Sequence, residues 1–304
     1  MEFRKLISFG KSSFVISLPK DWIEKNKLEK GNNVSLQYSG DDLILSSKTE
    51  KEDIIEVINL DISGLDSMGK RAIGAAYKAG YDQINISFAT SEQLQNIQDV
   101  LNDSCIGFEI INQETKSVIA KKISKDMTSE FDGVLRRTFL FLKSMTEDSL
   151  EAIKKQDKEA LRGIIIKDAM IDKFTDFCRR VLNKSLYKNK KMSPLYCIIE
   201  NLEKVGDIYA DICEELYNKN LKLSKEVLDI YEDLNDFFAY FYDLFYKFDL
   251  KNMRSFGELR KNINKKLNDR FDKTPKQEIR VLFYLQTLSD MIFNMNGPLM
   301  SNKL

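Results

Sequence analysis

The chain has 304 residues, with Lys+Arg and Asp+Glu equal at 47 each and no histidine. The length exceeds what one hydrophobic core usually serves, so two or three domains are expected, and any nucleic-acid signal must be local rather than global. Without histidine no Ser/His or Cys/His nucleophile pair and no Glu-x-x-His ligand pair can be built, and no enzymatic activity is expected. The four cysteines, Cys105, Cys178, Cys197 and Cys213, lack C-x-x-C spacing and point to a reduced, cytoplasmic setting. No apolar run reaches the roughly 18 residues of a membrane span, and no signal peptide is read at the start.

Residues 1–48 read as strand, strand, short helix and hairpin. Phe14, Ile16 and Leu18 alternate with Ser13, Val15 and Ser17, the period of a half-buried strand. Pro19 cannot donate to a ladder but suits the first turn of a helix, which then runs through Trp22 and closes at Gly31. A second strand pair, Val34 to Tyr38 and Asp42 to Ser46, surrounds the turn residues Ser39-Gly40-Asp41. So few residues cannot bury an adequate core alone. The first 31 residues hold Arg4, Lys5, Lys11, Lys20, Lys25, Lys27 and Lys30 against Glu2, Asp21, Glu24 and Glu29, a net +3.

Gly10-Lys11-Ser12-Ser13 followed by Val15-Ile16-Ser17-Leu18-Pro19-Lys20 resembles the SpoVT/AbrB-type swapped-hairpin DNA-binding domain. The resemblance implies an obligate homodimer in which two chains exchange hairpins and close one β-barrel. It also implies that Arg4, Lys5, Lys11, Ser12, Ser13 and Lys20 face double-stranded DNA, where cations and hydroxyls meet phosphates. Lysine is a point charge and reads bases less well than the forked guanidinium, so low sequence specificity is expected.

Residues 49–125 read as a small α/β connecting domain. Ile54–Leu60 is a strand, Ser67–Ala79 a helix ended by Gly80, and Ile84–Phe88 a strand. Thr90–Leu101 is a helix, and Phe108–Ile111 with Val118–Ile123 forms a final hairpin. Gly64 and Gly69 match neither G-x-G-x-x-G nor the Walker spacing, so no phosphate loop is assigned.

Residues 126–304 read as six helices, about 127–156, 158–187, 192–219, 224–249, 252–271 and 275–297, or two three-helix repeats. In the first repeat Asp168 and Asp172 are spaced i, i+4, as are Glu203 and Asp207, so each pair places two carboxylates on one helical face. Gly206 costs its helix roughly 1 kcal/mol relative to Ala and permits close approach of a neighbour. An all-oxygen set of this kind suits hard or borderline cations.

These residues resemble the PhoU family, whose three-helix repeats carry E/D-x-x-x-D motifs. The resemblance implies a multinuclear cluster of Fe, Zn or Mg/Mn at Asp168, Asp172, Glu203 and Asp207. In the second repeat Glu258, Asn262, Gln286 and Asp290 stand in the corresponding positions, and a degraded site, weak or absent, is expected there. Residues 197–250 carry thirteen Asp/Glu against five Lys, which argues that this half does not touch DNA, and the aromatics from Phe237 to Phe248 are read mainly as core.

The fold expected is therefore multidomain α+β: a dimeric swapped-hairpin barrel, a small α/β middle domain and a PhoU-like bundle of two three-helix repeats. The combination looks like the archaeal phosphate-uptake regulators and implies a DNA-binding transcriptional regulator in phosphate homeostasis. The alternative is a PhoU-type signalling adaptor of a phosphate transporter, with the N-terminal domain serving only to dimerise.

Overall fold

The structure, a computed structural model, describes residues 3–11, 13–39, 42–47, 55–124, 128–184 and 192–304, and divides into two compact units, Met1–Ile55 and Glu56–Leu304.

In the first unit β1 (Ile7–Phe9) and β2 (Ser13–Val15) form an antiparallel ribbon with Phe9 opposite Ser13. Gly10, at φ 73°, supplies the left-handed residue of the turn. β3 (Ser35–Ser39) and β4 (Asp42–Ser46) form a second antiparallel ribbon. The two ribbons are separate sheets, so the single chain does not close the expected barrel. The reason is visible in the burial: among the residues of this unit whose burial is described none is buried, and Phe9 and Phe14 are 69% and 67% exposed.

Helix α1 (Lys20–Lys25) begins after Pro19 as expected but stops well before Gly31. Lys27 takes the left-handed conformation at φ 53°, Leu28 N donates to Ile23 O at 3.0 Å, and Lys27 N donates to Glu24 O at 3.0 Å. This is the Schellman closure, made here by a lysine where glycine is usual.

The second unit opens with a four-stranded sheet of β5 (Val57–Asp61), β6 (Gln83–Ser87), β7 (Phe108–Gln113) and β8 (Ser117–Lys122), in the order β5-β6-β8-β7. β5 and β6 are parallel and the other pairings antiparallel. Between them lie α2 (Met68–Ala79), ended by Gly80 at φ 104°, and α3 (Ser91–Ser104). Thr90 and Gln93 close a capping box at the start of α3, and Gln93 Nε2 also donates to Ile62 O at 2.9 Å, tying α3 to the loop after β5. Ile73, Tyr77, Ile84, Ile86, Ile97 and Val118 form the core under the sheet.

The helical part comprises α4 (Phe131–Lys155), α5 (Lys158–Lys184), α6 (Met192–Lys219), α7 (Lys225–Tyr246), α8 (Asn252–Phe271), α9 (Ile279–Asn294) and α10 (Asn296–Lys303). The sixth expected helix is thus split. Pro298 has no N–H to return to the carbonyl of Asn294, and the helix breaks at Met295. A continuous core joins the helices, in which Phe139 of α4 lies 4.8 Å from the ring of Phe245 and 6.3 Å from that of Phe238. A buried polar chain crosses it: Tyr209 donates to Asn235 at 2.8 Å, and Asn235 donates to the Thr146 carbonyl at 2.7 Å.

Helices α2 and α3 pack on α5, so the sheet, the α2/α3 layer and the helical bundle lie in one compact unit. Arg180 of α5 fixes this contact. It is buried, donates to the carbonyls of Tyr77 (2.7 Å) and Tyr81 (2.8 Å), and lies over the Tyr77 and Phe108 rings at 5.0 and 4.8 Å. Asp82 receives it at 3.2 Å and Lys184 at 2.6 Å.

Candidate functional site

Helices α5 and α6 run antiparallel, which sets Asp168 and Asp172 of α5 opposite Gly206 and Asp207 of α6. Carboxylate oxygens of Asp168, Asp172 and Asp207 all lie within 4.8 Å of one another. Gly206 makes this approach feasible: a β-carbon there would stand 2.9 Å from Asp168 Oδ1 and 3.1 Å from Ile171 Cδ1. Asp168 Oδ1 and Asp172 Oδ1 are buried without a hydrogen-bond partner. Burial, then the charges of Asp172 and Asp207, push Asp168 up to about 7. Burial, then the charges of Glu203 and Asp207, push Asp172 up to about 7. Lys204 offers Asp207 Oδ2 only a 3.3 Å contact on the solvent side.

Glu203, the fourth acid read from the sequence, is drawn elsewhere. Its Oε2 lies 2.5 Å from Nη2 of Arg179, which is 3% exposed. The same guanidinium reaches Asp176 Oδ1 at 2.6 Å and pairs with Glu200. Asp176 in turn lies 3.3 Å from Lys78 of α2. The sequence reading missed Arg179, Asp176 and Glu200, although the i, i+4 series Asp168, Asp172, Asp176 continues the acidic face and Arg179 follows one turn on.

In the second repeat, where a weak or absent site is expected, the four residues do not come together. Glu258 pairs with Arg254 on its own helix at 3.0 Å, and Asn262 lines a groove with Asp233, Asp236 and Lys266 of the α7–α8 face. Burial of Phe256, Ile263 and Leu267 fixes the rotation of α8, and two positions along a helix turn a side chain by about 200°. Arg260 and Asn264 therefore meet α9 instead. Arg260 pairs with Asp290, to which Gln286 also donates at 3.2 Å, and Arg260 lies 5.6 Å over the Phe293 ring. A guanidinium stands beside the acid where a metal would need room.

In the first unit Arg4, Lys5, Lys11, Ser13 and Lys20 are exposed, and Ser12 lies outside the described residues. Lys11 lies in the β1–β2 turn and Ser13 opens β2, Arg4 and Lys5 precede β1, and Lys20 opens α1, with Glu24 at 3.5 Å.

A small β-ribbon unit followed by an acid-lined helical unit defines a two-module protein. The model of the PhoU domain family matches residues 135–216, and that of the antidote-toxin recognition MazE family of bacterial antitoxins matches residues 7–53. The chain thus combines a MazE/AbrB-like domain at its N-terminus with a PhoU domain that covers most of α4, α5 and α6, including all four expected acids of the first repeat. An uncharacterized protein of Methanocaldococcus jannaschii is 35% identical over 79 residues, 25% of this chain and 27% of that protein, so the chain spans about a quarter of the length of this curated relative. The crystal structure of the phosphate transport system regulatory protein PhoU from Streptococcus pneumoniae aligns with a TM-score of 0.46 at 16% identity, covering 57% of this chain and 93% of that one.

Proposed function

We propose that this protein is a DNA-binding regulator of phosphate homeostasis, in which the PhoU domain is the sensor and the N-terminal domain is the output. The observation that carries this reading is the joining of the two domain types in one chain. Both belong to regulatory rather than enzymatic families. The exposed Phe9, Phe14, Ile16 and Leu36 support dimerisation, because an apolar set with no core of its own is completed by a second copy that closes the swapped-hairpin barrel. Two-fold symmetry would then double the exposed lysines on one face, where they neutralise DNA phosphates. No described helix is long and apolar enough to cross a membrane.

The sensor site takes a metal ion. The orphaned oxygens of Asp168 and Asp172 and the space left by Gly206 fit a cation, and Asp168, Asp172 and Asp207 would hold it. Such an ion supplies a fixed positive charge that removes the repulsion between α5 and α6. Oxygen donors alone favour a hard divalent cation such as Mg or Mn. The residues proper to this chain orient the pair: Gly206 sets the helix spacing and Ile171 walls the site from the core.

The test is binding to duplex DNA across a salt titration, with molar mass by light scattering. Affinity that falls steeply with salt, from a dimer, is the expected result. A dimer with no salt-sensitive DNA affinity would favour the transporter-adaptor reading instead.

A further inference from the structure

The most unusual group near the acid trio is not an acid. Arg179 is almost wholly buried, yet its guanidinium faces three carboxylates, Asp176, Glu200 and Glu203. We propose that Arg179 is the resident cation of this site, holding Glu203 out of the ligand set and limiting the site to one divalent cation bound by Asp168, Asp172 and Asp207. This inference rests on the metal reading above.

The geometry leaves Glu203 little freedom. Its Oε2 is 2.5 Å from Arg179 Nη2, and the same nitrogen is 2.6 Å from Asp176 Oδ1 and 3.3 Å from Thr175 Oγ1. A planar guanidinium held on several sides keeps its orientation, and its ion pair with Glu203 stands in a dry setting, where opposite charges attract more strongly than in water. For Glu203 to swing to a metal, Arg179 would lose a counter-charge while still buried, which is strongly unfavourable. The three aspartates differ: none of them is an ion-pair partner of Arg179, and their carboxylate oxygens already lie within 4.8 Å of one another.

Charge balance points the same way. Two divalent cations need several shared carboxylate arms, and this site offers three carboxylates with a fixed positive group next to it. A second metal ion would sit near the guanidinium, whose neighbouring acids Asp176 and Glu203 are already paired with it, and like charges at short range in a poorly solvated site repel strongly. A single hard cation, completing its shell with water, meets neither problem.

The test uses the full chain, stripped of metal and dialysed against Mn2+, with bound metal counted by elemental analysis and electron paramagnetic resonance. The wild type should bind one Mn2+ per chain. Asp172→Asn should weaken binding by at least about tenfold, the scale of losses at metal centres. Glu203→Gln should change the Kd by no more than about threefold, since a carboxylate already neutralised by Arg179 adds little attraction. Arg179→Gln should free Glu203 and raise the capacity to two; if that variant loses its circular-dichroism signal, the Glu203→Gln result decides alone. Two ions per wild-type chain, a tenfold loss in Glu203→Gln, or a folded Arg179→Gln that still binds one would each overturn the inference. A wild type that binds no Mn2+ would instead overturn the metal reading on which it rests.

Discussion

Gly206 of α6 faces Asp168 of α5 so closely that a β-carbon at position 206 would stand 2.9 Å from Asp168 Oδ1. The glycine sits mid-helix, where alanine would be more favourable by roughly 1 kcal/mol, so helix stability is set aside for helix proximity. Gly206→Ala should therefore leave the denaturation midpoint nearly unchanged, as helix propensity offsets the crowding of Asp168 and Ile171. It should also displace the Asp168 carboxylate and weaken Mn2+ binding by about tenfold, as disturbance of a ligand's support does elsewhere. Unaltered Mn2+ affinity in this variant would show that the close approach has no bearing on the site.

The raised Asp168 and Asp172 make stability depend on pH with a definite sign. Each titrates near 7 in the folded chain, whereas an aspartate in the unfolded chain titrates near 4. Between those values the folded state binds more protons than the unfolded state, so metal-free stability should fall as pH rises from about 4 to about 7 and level off above. Urea denaturation in the presence of chelator should give greater stability at pH 5 than at pH 8. Replacing both aspartates by asparagine should remove most of the difference, and saturating Mn2+ should restore stability at pH 8. A profile of the same slope in the double variant would contradict this account.

Arg180 joins the α/β layer to the bundle through two carbonyls, Asp82 and two aromatic faces. Removing it leaves buried acceptors unpaired, so Arg180→Ala should cost roughly 3–5 kcal/mol in chemical denaturation. Arg180→Lys should recover little, because an ammonium cannot span both carbonyls and stack on the rings. Hydrogen exchange is expected to accelerate first in α2. A loss confined to the bundle would argue against Arg180 as the clamp.

For the N-terminal domain, Lys11→Glu combined with Lys20→Glu should abolish DNA binding while light scattering still reports a dimer. Both side chains are exposed and away from any buried contact, so the fold should tolerate the change. Retention of DNA binding by this variant would remove the lysines from the interface.

The helices were legible because their signals are local. The Thr90-x-x-Gln93 start, the Gly80 stop and the Gln156-Asp157 break lie within a few residues of the ends they cause, and each end falls where the chemistry puts it. The end of α1 was misplaced for a related reason. Gly31 is the better αL residue by type, but Lys27 is where the helix hydrogen bonds run out, and its modest φ penalty is offset by the two Schellman bonds.

The candidate site was legible as acids on two helices and as a glycine between them, since the i, i+4 spacing fixes a face whatever the helix later packs against. Which acids meet was not legible. Helical spacing gives a side chain's angle about its own axis, but the partner it reaches depends on the rotation and offset of the neighbouring helix, and these are set by core packing. Glu203 therefore goes to Arg179, and Arg260 rather than Glu258 meets Asp290.

By itself the sequence determined the two kinds of module, most of the helix spans, the acidic α5 and α6 faces and the lysines of the first unit. Only the tertiary structure decided that Asp168, Asp172 and Asp207 converge without Glu203, and that Arg180 binds the α/β layer to the bundle. The physical reason is range: periodicity and capping act within a turn or two of chain, whereas a buried ion pair is chosen by long-range packing that brings Arg179 and Arg180 to opposite partners.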